Sequence, residues 1–270
     1  MAITEYQRAI CRLIASNRIA QGESYVAGGV ALNELINSSR ISRDIDLFHD
    51  TSEALLHSWE MDRELLANRG YTVDPVRMMP SFVEALIKNE ADTVLMQWAQ
   101  DSAFRFFPLV EDITFGLTLH PFDLATNKVL ALAGRLEARD WVDVINCHRR
   151  IQNAGYLFWA ACGKDPGFNP TSLIAEAKRS SHYSADEIAQ LEYSDSRPNA
   201  SLLGEEWHAI LKEAEHIVEQ LPYEHAGSCV IDGNADLYKG APKDLDFALR
   251  KGAVHFHKGT LKGSYPKLIG

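Results

Sequence analysis

Tyr25-Val-Ala-Gly28-Gly29, followed by Arg43-Asp44-Ile45-Asp46-Leu47-Phe48, is the stretch whose reading decides the fold. Side chains alternate along a strand, so an Asp-x-Asp in a strand projects both carboxylates from one face. Two negative charges held that close need a counter-ion. Mg²⁺ suits them, because this hard cation prefers carboxylate oxygens and shares its coordination with substrate phosphates. A Gly-Gly turn upstream lets backbone approach a phosphate with no side chain in the way, which completes the outline of a nucleotide site.

Working outward, apolar residues at helical spacing (Ile10, Leu13, Ile14, Ile19) predict a helix over 5–20 that leads into a strand at Ser24–Ala27. Val30–Ile36 reads as a helix opening at the glycine turn, its free N–H groups and positive dipole end available to an anion. Asn37–Ser42 is a loop before the strand Asp44–Phe48. Ala54–Arg69 reads as a helix stopped by Gly70, Tyr71–Val73 as extended, and Ala91–Ala99 and Val110–Leu119 as strands. From Pro121 the pattern turns helical, with Ala125–Gly134 and Asp140–Ile151 on either side of a break at Gly134-Arg-Leu-Glu137.

Later helices start at Asn169-Pro170 and at the capping box Ser184-Ala-Asp-Glu187, and Glu205–Leu221 carries an apolar stripe. The last stretch, from Ala226, has hairpin signals at Asp232-Gly233-Asn234 and Lys258-Gly259, and from Arg250 it is basic with no acid. The expected fold class is α+β, a mixed sheet with flanking helices over residues 1–153, then a helical module over 154–225 and a Gly-rich basic segment over 226–270.

The 270 residues are 46% hydrophobic, enough for one large core or two small ones. No run approaches the roughly 20 apolar residues of a membrane span, and Met1-Ala-Ile-Thr-Glu5 lacks a signal-peptide pattern, so the expectation is a cytoplasmic protein with no membrane partner. Cys11, Cys147, Cys162 and Cys229 are scattered, which suggests neither zinc nor a disulfide framework. The formal charge of -10 argues against a general coat of positive field, so an RNA partner requires a local basic groove. His255-Phe-His257 lacks a carboxylate or cysteine partner and reads as an exposed strand or tail, while Trp98, Trp141, Trp159 and Trp207 read as core.

Gly28-Gly29 and Asp44-x-Asp46, with 14 residues between Gly29 and Asp44, resemble the DNA polymerase β-like nucleotidyltransferase superfamily. A second block, Ala125-Thr-Asn-Lys128-Val-Leu-Ala131 with Arg135 and Arg139-Asp140-Trp-Val-Asp143, brings the resemblance closer to the AbiEii/AbiGii toxin family, over roughly residues 20–150. The resemblance implies an enzyme that transfers a nucleotide from an NTP to an acceptor such as tRNA, as the toxin of a toxin-antitoxin pair with a cognate antitoxin for partner.

Asp44 and Asp46 would then bridge Mg²⁺ ions, and Gly28 and Gly29 would hold phosphates through backbone. Lys128 would contact phosphate, with Asp143 or Asp140 orienting it or adding a polar group. Ser42 and Arg43 lie close enough to the acid pair to touch substrate. Lys128, Arg135 and Arg139, spaced by seven and four, would present a row of cations to a triphosphate if the helix were continuous. Asp140 has a competing reading as a helix cap.

The superfamily often adds a third carboxylate from a later strand, where this chain has Gln97, with Asp92 and Asp101 at the strand's ends as candidate replacements. A missing third acid favours a noncatalytic nucleotide-binding regulatory protein, and a small-molecule nucleotidyltransferase of the aminoglycoside-modifying type shares the fold and the carboxylates.

Overall fold

The computed structural model describes residues 3–179 and 183–267. In chain order the elements are α1 (Glu5–Gln21), β1 (Ser24–Ala27), α2 (Gly28–Leu35), β2 (Arg40–Ile41), β3 (Asp44–His49), α3 (Ser52–Asn68), β4 (Thr72–Met79), β5 (Phe82–Lys88) and β6 (Thr93–Gln100). There follow β7 (Phe104–Arg105), β8 (Val110–Asp112), β9 (Gly116–Thr118), α4 (Pro121–Arg135), α5 (Ala138–Arg150), α6 (Ala154–Ala161), α7 (Pro170–Arg179), α8 (Ala185–Ala189) and β10 (Glu192–Tyr193). The chain closes with α9 (Ala200–Gln220), β11 (Ser228–Asp232), α10 (Leu245–Arg250), β12 (Val254–Lys258) and β13 (Thr260–Leu261). Among the described residues, no helix is long and apolar enough to cross a membrane.

Two compact units result. The first comprises the chain through Ala103 with Leu109–His120 and Glu192–Asp195; the second comprises Phe104–Pro108, Pro121–Leu191 and the chain from Ser196 onward. The division falls at Pro121 and not after residue 153, so α4 and α5 belong with the later helices.

The first unit is built on a mixed sheet of order β4-β5-β6-β3-β1-β9-β8. β1 pairs antiparallel with β3, β3 parallel with β6, and β1 parallel with β9. The alternation of half-exposed and buried positions along β3, β5 and β6 gives the sheet one apolar face. The helices α1 and α3 are fastened to it by a polar node. Arg18 NH2 donates to Asp62 Oδ1 and Arg18 NH1 lies against Oδ2, each at 2.7 Å, while Asn17 Nδ2 donates at 2.8 Å and the indole Trp98 Nε1–H at 2.9 Å. Arg18, Asp62 and Trp98 are fully buried, so the two charges neutralise each other out of reach of water.

Two elements differ from expectation here. Val110–Leu119 is a hairpin and not one strand: Asp112 Oδ1 accepts the N–H groups of Thr114 (2.7 Å) and Phe115 (2.9 Å), and Gly116, at φ +75°, returns the chain against α1, where a Cβ would overlap the Ala15 carbonyl. Phe82–Lys88 is a strand that periodicity missed, because Glu84-Ala-Leu-Ile-Lys88 has the composition of a helix. Its seven-residue pairing with β6 overrides that local preference.

In the second unit, Trp141, Trp159 and Trp207 are fully buried, and Tyr156, Trp159, Ile217, Leu221, Val230, Tyr238, Leu245 and Val254 form a continuous core. The turn at Asp232-Gly233-Asn234 is present, with Asp232 Oδ1 accepting from Asn234 N at 2.8 Å and a bridge between Ile231 and Leu237. The full partner of β11 is β12, and Lys258-Gly259 makes no hairpin, because β13 pairs with β7. His257 is buried and donates from Nε2 to the Phe106 carbonyl at 2.8 Å, so it is a core histidine and not part of an exposed tail. The four cysteines are free thiols, all but Cys162 buried.

Candidate functional site

The first unit brings Gly28, Gly29, Ser42, Asp44 and Asp46 together. β1 ends at Ala27, which lies opposite Asp46 in the ladder, and Gly28 leaves the strand at φ +66° to open α2. A Cβ built on Gly28 would overlap Asp46 Oδ2 and approach Cγ to 2.8 Å, so only glycine leaves room for that carboxylate. A Cβ on Gly29 would lie 2.6 Å from Ser42 Oγ. The turn is pinned by Asn33 Nδ2, which donates to the Gly29 carbonyl at 2.8 Å. The N-cap of α2 is Ala27, which has no side chain to cap the helix start.

Asp44 and Asp46 project from the half-exposed face of β3, while Ile45 and Leu47 between and beyond them are buried. The loop before β3 is held by Gln7, whose amide donates to the carbonyls of Ser42 (2.8 Å) and Arg43 (3.0 Å). Arg43 itself turns to Glu192 at 2.8 Å on the surface.

Gln97 stands beside Asp46 in the parallel ladder, at the place expected for a third carboxylate. Asp92 and Asp101 do not replace it. They lie five and four residues away along the chain, which at about 3.3 Å per residue puts each more than about 13 Å along the strand direction. The acid in this row is Glu84, one strand further out, which accepts from Gln97 Nε2 at 2.8 Å. Sequence reading misses it because its strand carries no strand signal. Among the described residues, no group of three or more His, Cys, Asp or Glu is arranged to hold a metal ion. The two aspartates and the cradle that glycine leaves around Asp46 suit a hard divalent cation shared with phosphate.

The second unit gathers Lys128, Arg135, Asp140 and Asp143. The break between α4 and α5 falls at Leu136, at φ +53°, whereas Gly134 lies inside α4. Tyr183 Oη donates to the Leu136 carbonyl at 2.6 Å and fixes the bend. The chain returns as α5 and sets Asp140 and Asp143 against α4: Lys128 Nζ lies 3.0 Å from Asp140 Oδ1 and 2.9 Å from Asp143 Oδ2, and Arg135 grips Asp140 through Nε (2.6 Å) and NH2 (2.9 Å).

Burial alone would push the Asp140 carboxyl up, but the hydrogen bond from Arg135 and the charges of Lys128 and Arg135 outweigh it and hold it below the usual carboxylate range. Asp140 is therefore not a cap; that position belongs to Glu137. Nor is there a continuous row of cations. The bend puts Arg139 on another helix, half-exposed and paired with Glu137 at 2.6 Å, and two acids offset Lys128 and Arg135.

The fold is α+β, a mixed sheet with flanking helices, and it is shared with solved nucleotidyltransferase structures. Among solved structures the chain is similar to JHP933 from Helicobacter pylori (TM-score 0.53, 14% identity, 81% of this chain and 95% of that one). It is also similar to MenT4, a nucleotidyltransferase toxin from Mycobacterium tuberculosis H37Rv (TM-score 0.51, 16% identity, 80% and 83% of the two chains). No protein-family model matches the chain, and no curated protein matches its sequence.

Proposed function

We propose that this protein is a divalent-cation-dependent nucleotidyltransferase of the AbiEii-like toxin type, which moves a nucleotide from an NTP to an RNA acceptor such as tRNA in the cytoplasm and is held in check by a cognate antitoxin. The observation that carries the reading is the fit of Asp46 into the space left by Gly28, with Asp44 on the same strand face and an uncapped helix start beside them. The likeness of the fold to a nucleotidyltransferase toxin supports it.

In this reading an acceptor hydroxyl attacks the α-phosphorus, the bond to the bridging oxygen breaks, and pyrophosphate leaves. Mg²⁺, when bound, lowers the pKa of the acceptor hydroxyl and neutralises the leaving group. Asp44 and Asp46 hold the cation, and the N–H groups at Gly28 and Gly29 hold phosphate oxygens. Ser42, beside Gly29, lies within reach of the same phosphates, while Arg43 and Arg139 are committed to surface ion pairs. In the second unit, taken by itself, Asp143 and Asp140 orient the Lys128 ammonium as a phosphate-binding group, and Arg135 holds Asp140 below the usual carboxylate range. Such chemistry depends on positioning and charge neutralisation more than on covalent catalysis.

Incubating the protein with Mg²⁺, total tRNA and each α-labelled NTP in turn, alongside Asp46→Ala, tests the proposal. Label transfer by the wild type alone supports it, and no transfer with any NTP sinks it. Gln97 in the third position favours a second reading, a nucleotide-binding regulator without turnover. That reading expects calorimetric NTP binding with Mg²⁺ and no product.

A further inference from the structure

One polar row crosses the half-exposed face of the sheet. Asp46 on β3 is registered with Gln97 on β6, and Gln97 with Glu84 on β5. The registered neighbours on β6 and β5 two positions to either side are apolar: Leu95 with Leu86, and Ala99 with Phe82. On β4 the same row continues to Arg77, registered with Glu84, so Gln97 and Glu84 lie in a polar row that runs between apolar ones.

Hydrogen-bond chemistry fixes the direction of that amide. A carboxylate only accepts, so Glu84 must receive the Nε2 donor of Gln97, as its 2.8 Å contact shows. With Nε2 engaged by Glu84 on β5, the carbonyl oxygen is the other end of the Gln97 amide, and Asp46 is the registered neighbour on the opposite side of β6.

We propose that Glu84 is a positioning residue that orients the Gln97 amide so that its Oε1 serves as a neutral third oxygen for the cation held by Asp44 and Asp46. The inference rests on the cation-binding reading above and deepens it. The chain keeps three oxygen-bearing side chains on adjacent strands, while the site carries one negative charge fewer than a three-acid site would. Amide carbonyls are ordinary ligands of hard cations, and the partners that orient a ligand tune its affinity.

Titrating the full chain with Mn²⁺, followed by loss of the free-ion electron paramagnetic resonance signal, tests this without reference to turnover. Gln97→Met and Glu84→Met are each expected to weaken Mn²⁺ binding by about 10-fold. The double variant should be no weaker than Gln97→Met alone, because Glu84 acts only through Gln97. The swap Gln97→Glu with Glu84→Gln keeps a donor–acceptor pair and puts a charge on the third oxygen, so it should bind Mn²⁺ more tightly than wild type. Circular dichroism confirms that each variant is folded, and the swap serves if a methionine variant is not.

If Asp46→Ala abolishes binding while both methionine variants, or the swap, keep the wild-type constant, the inference falls and the cation site stands. Losses that multiply in the double variant also overturn it. If the wild type binds no Mn²⁺, or binds it without regard to Asp46, the functional reading falls and takes the inference with it.

Discussion

Gly28→Ala should separate the structural role of the glycine turn from its role in placing Asp46. The substitution carries two costs. Alanine at φ +66° incurs the left-handed penalty of about 1–2 kcal/mol, and its Cβ would lie 2.8 Å from Asp46 Cγ, where carbons rest at about 3.5–4.0 Å. Relieving that overlap displaces the carboxylate by about 1 Å, and misplacement on that scale costs about 100-fold in rate.

Gly22→Ala is the matched control. Gly22 sits at φ +70° with nothing within 4 Å of a Cβ placed there, so it incurs the backbone cost alone. Urea denaturation should give a loss of about 1–2 kcal/mol in Gly22→Ala and a loss at least as large in Gly28→Ala. Nucleotide transfer from labelled NTP should fall about 100-fold in Gly28→Ala and stay near wild type in Gly22→Ala. Equal activity in the two variants would refute the claim that the turn exists to admit Asp46.

Three further outcomes are expected. Asp62→Ala strands the fully buried Arg18 and should cost about 3–5 kcal/mol in chemical denaturation; a loss under about 1 kcal/mol would mean that water reaches the node. His49 is buried between Ser24 Oγ and the Ala99 carbonyl, and burial with the nearby Arg18 charge lowers its pKa to about 4. The unfolded chain then takes up the proton first as pH falls from about 6.5 towards 4, so stability should drop by about 3 kcal/mol across that window, and His49→Gln should flatten this part of the profile. Lys128→Met should abolish transfer while Arg139→Ala leaves it unchanged, since Lys128 is held by two buried acids and Arg139 pairs with Glu137 at the surface; equal effects in steady-state assays would contradict that distinction.

The parts of the site that can be read from sequence are those set by local geometry. Alternation puts Asp44 and Asp46 on one face, and a glycine pair after a short apolar strand marks the turn. Where non-local pairing decides, local reading fails. The strand at Phe82–Lys88 is hidden under helix-favouring residues, and with it Glu84. Val110–Leu119 looks like one strand because its turn depends on Asp112 and on the close approach of Gly116 to Ala15. The break at Gly134-Arg-Leu-Glu137 is legible, since the chain bends at Leu136 within it, but the way the returning helix sets Asp140 and Asp143 against Lys128 is not.

The sequence by itself therefore determined a strand, a glycine turn and a second strand bearing two acids, because these follow from a period of two and from the absence of a Cβ. Tertiary structure decided which groups stand beside them. Gln97 meets Asp46 and Glu84 only through the register of three strands, and Lys128 meets Asp140 and Asp143 only because α5 turns back on α4. Register and helix return are settled by burial over the whole unit, which no short window of residues contains.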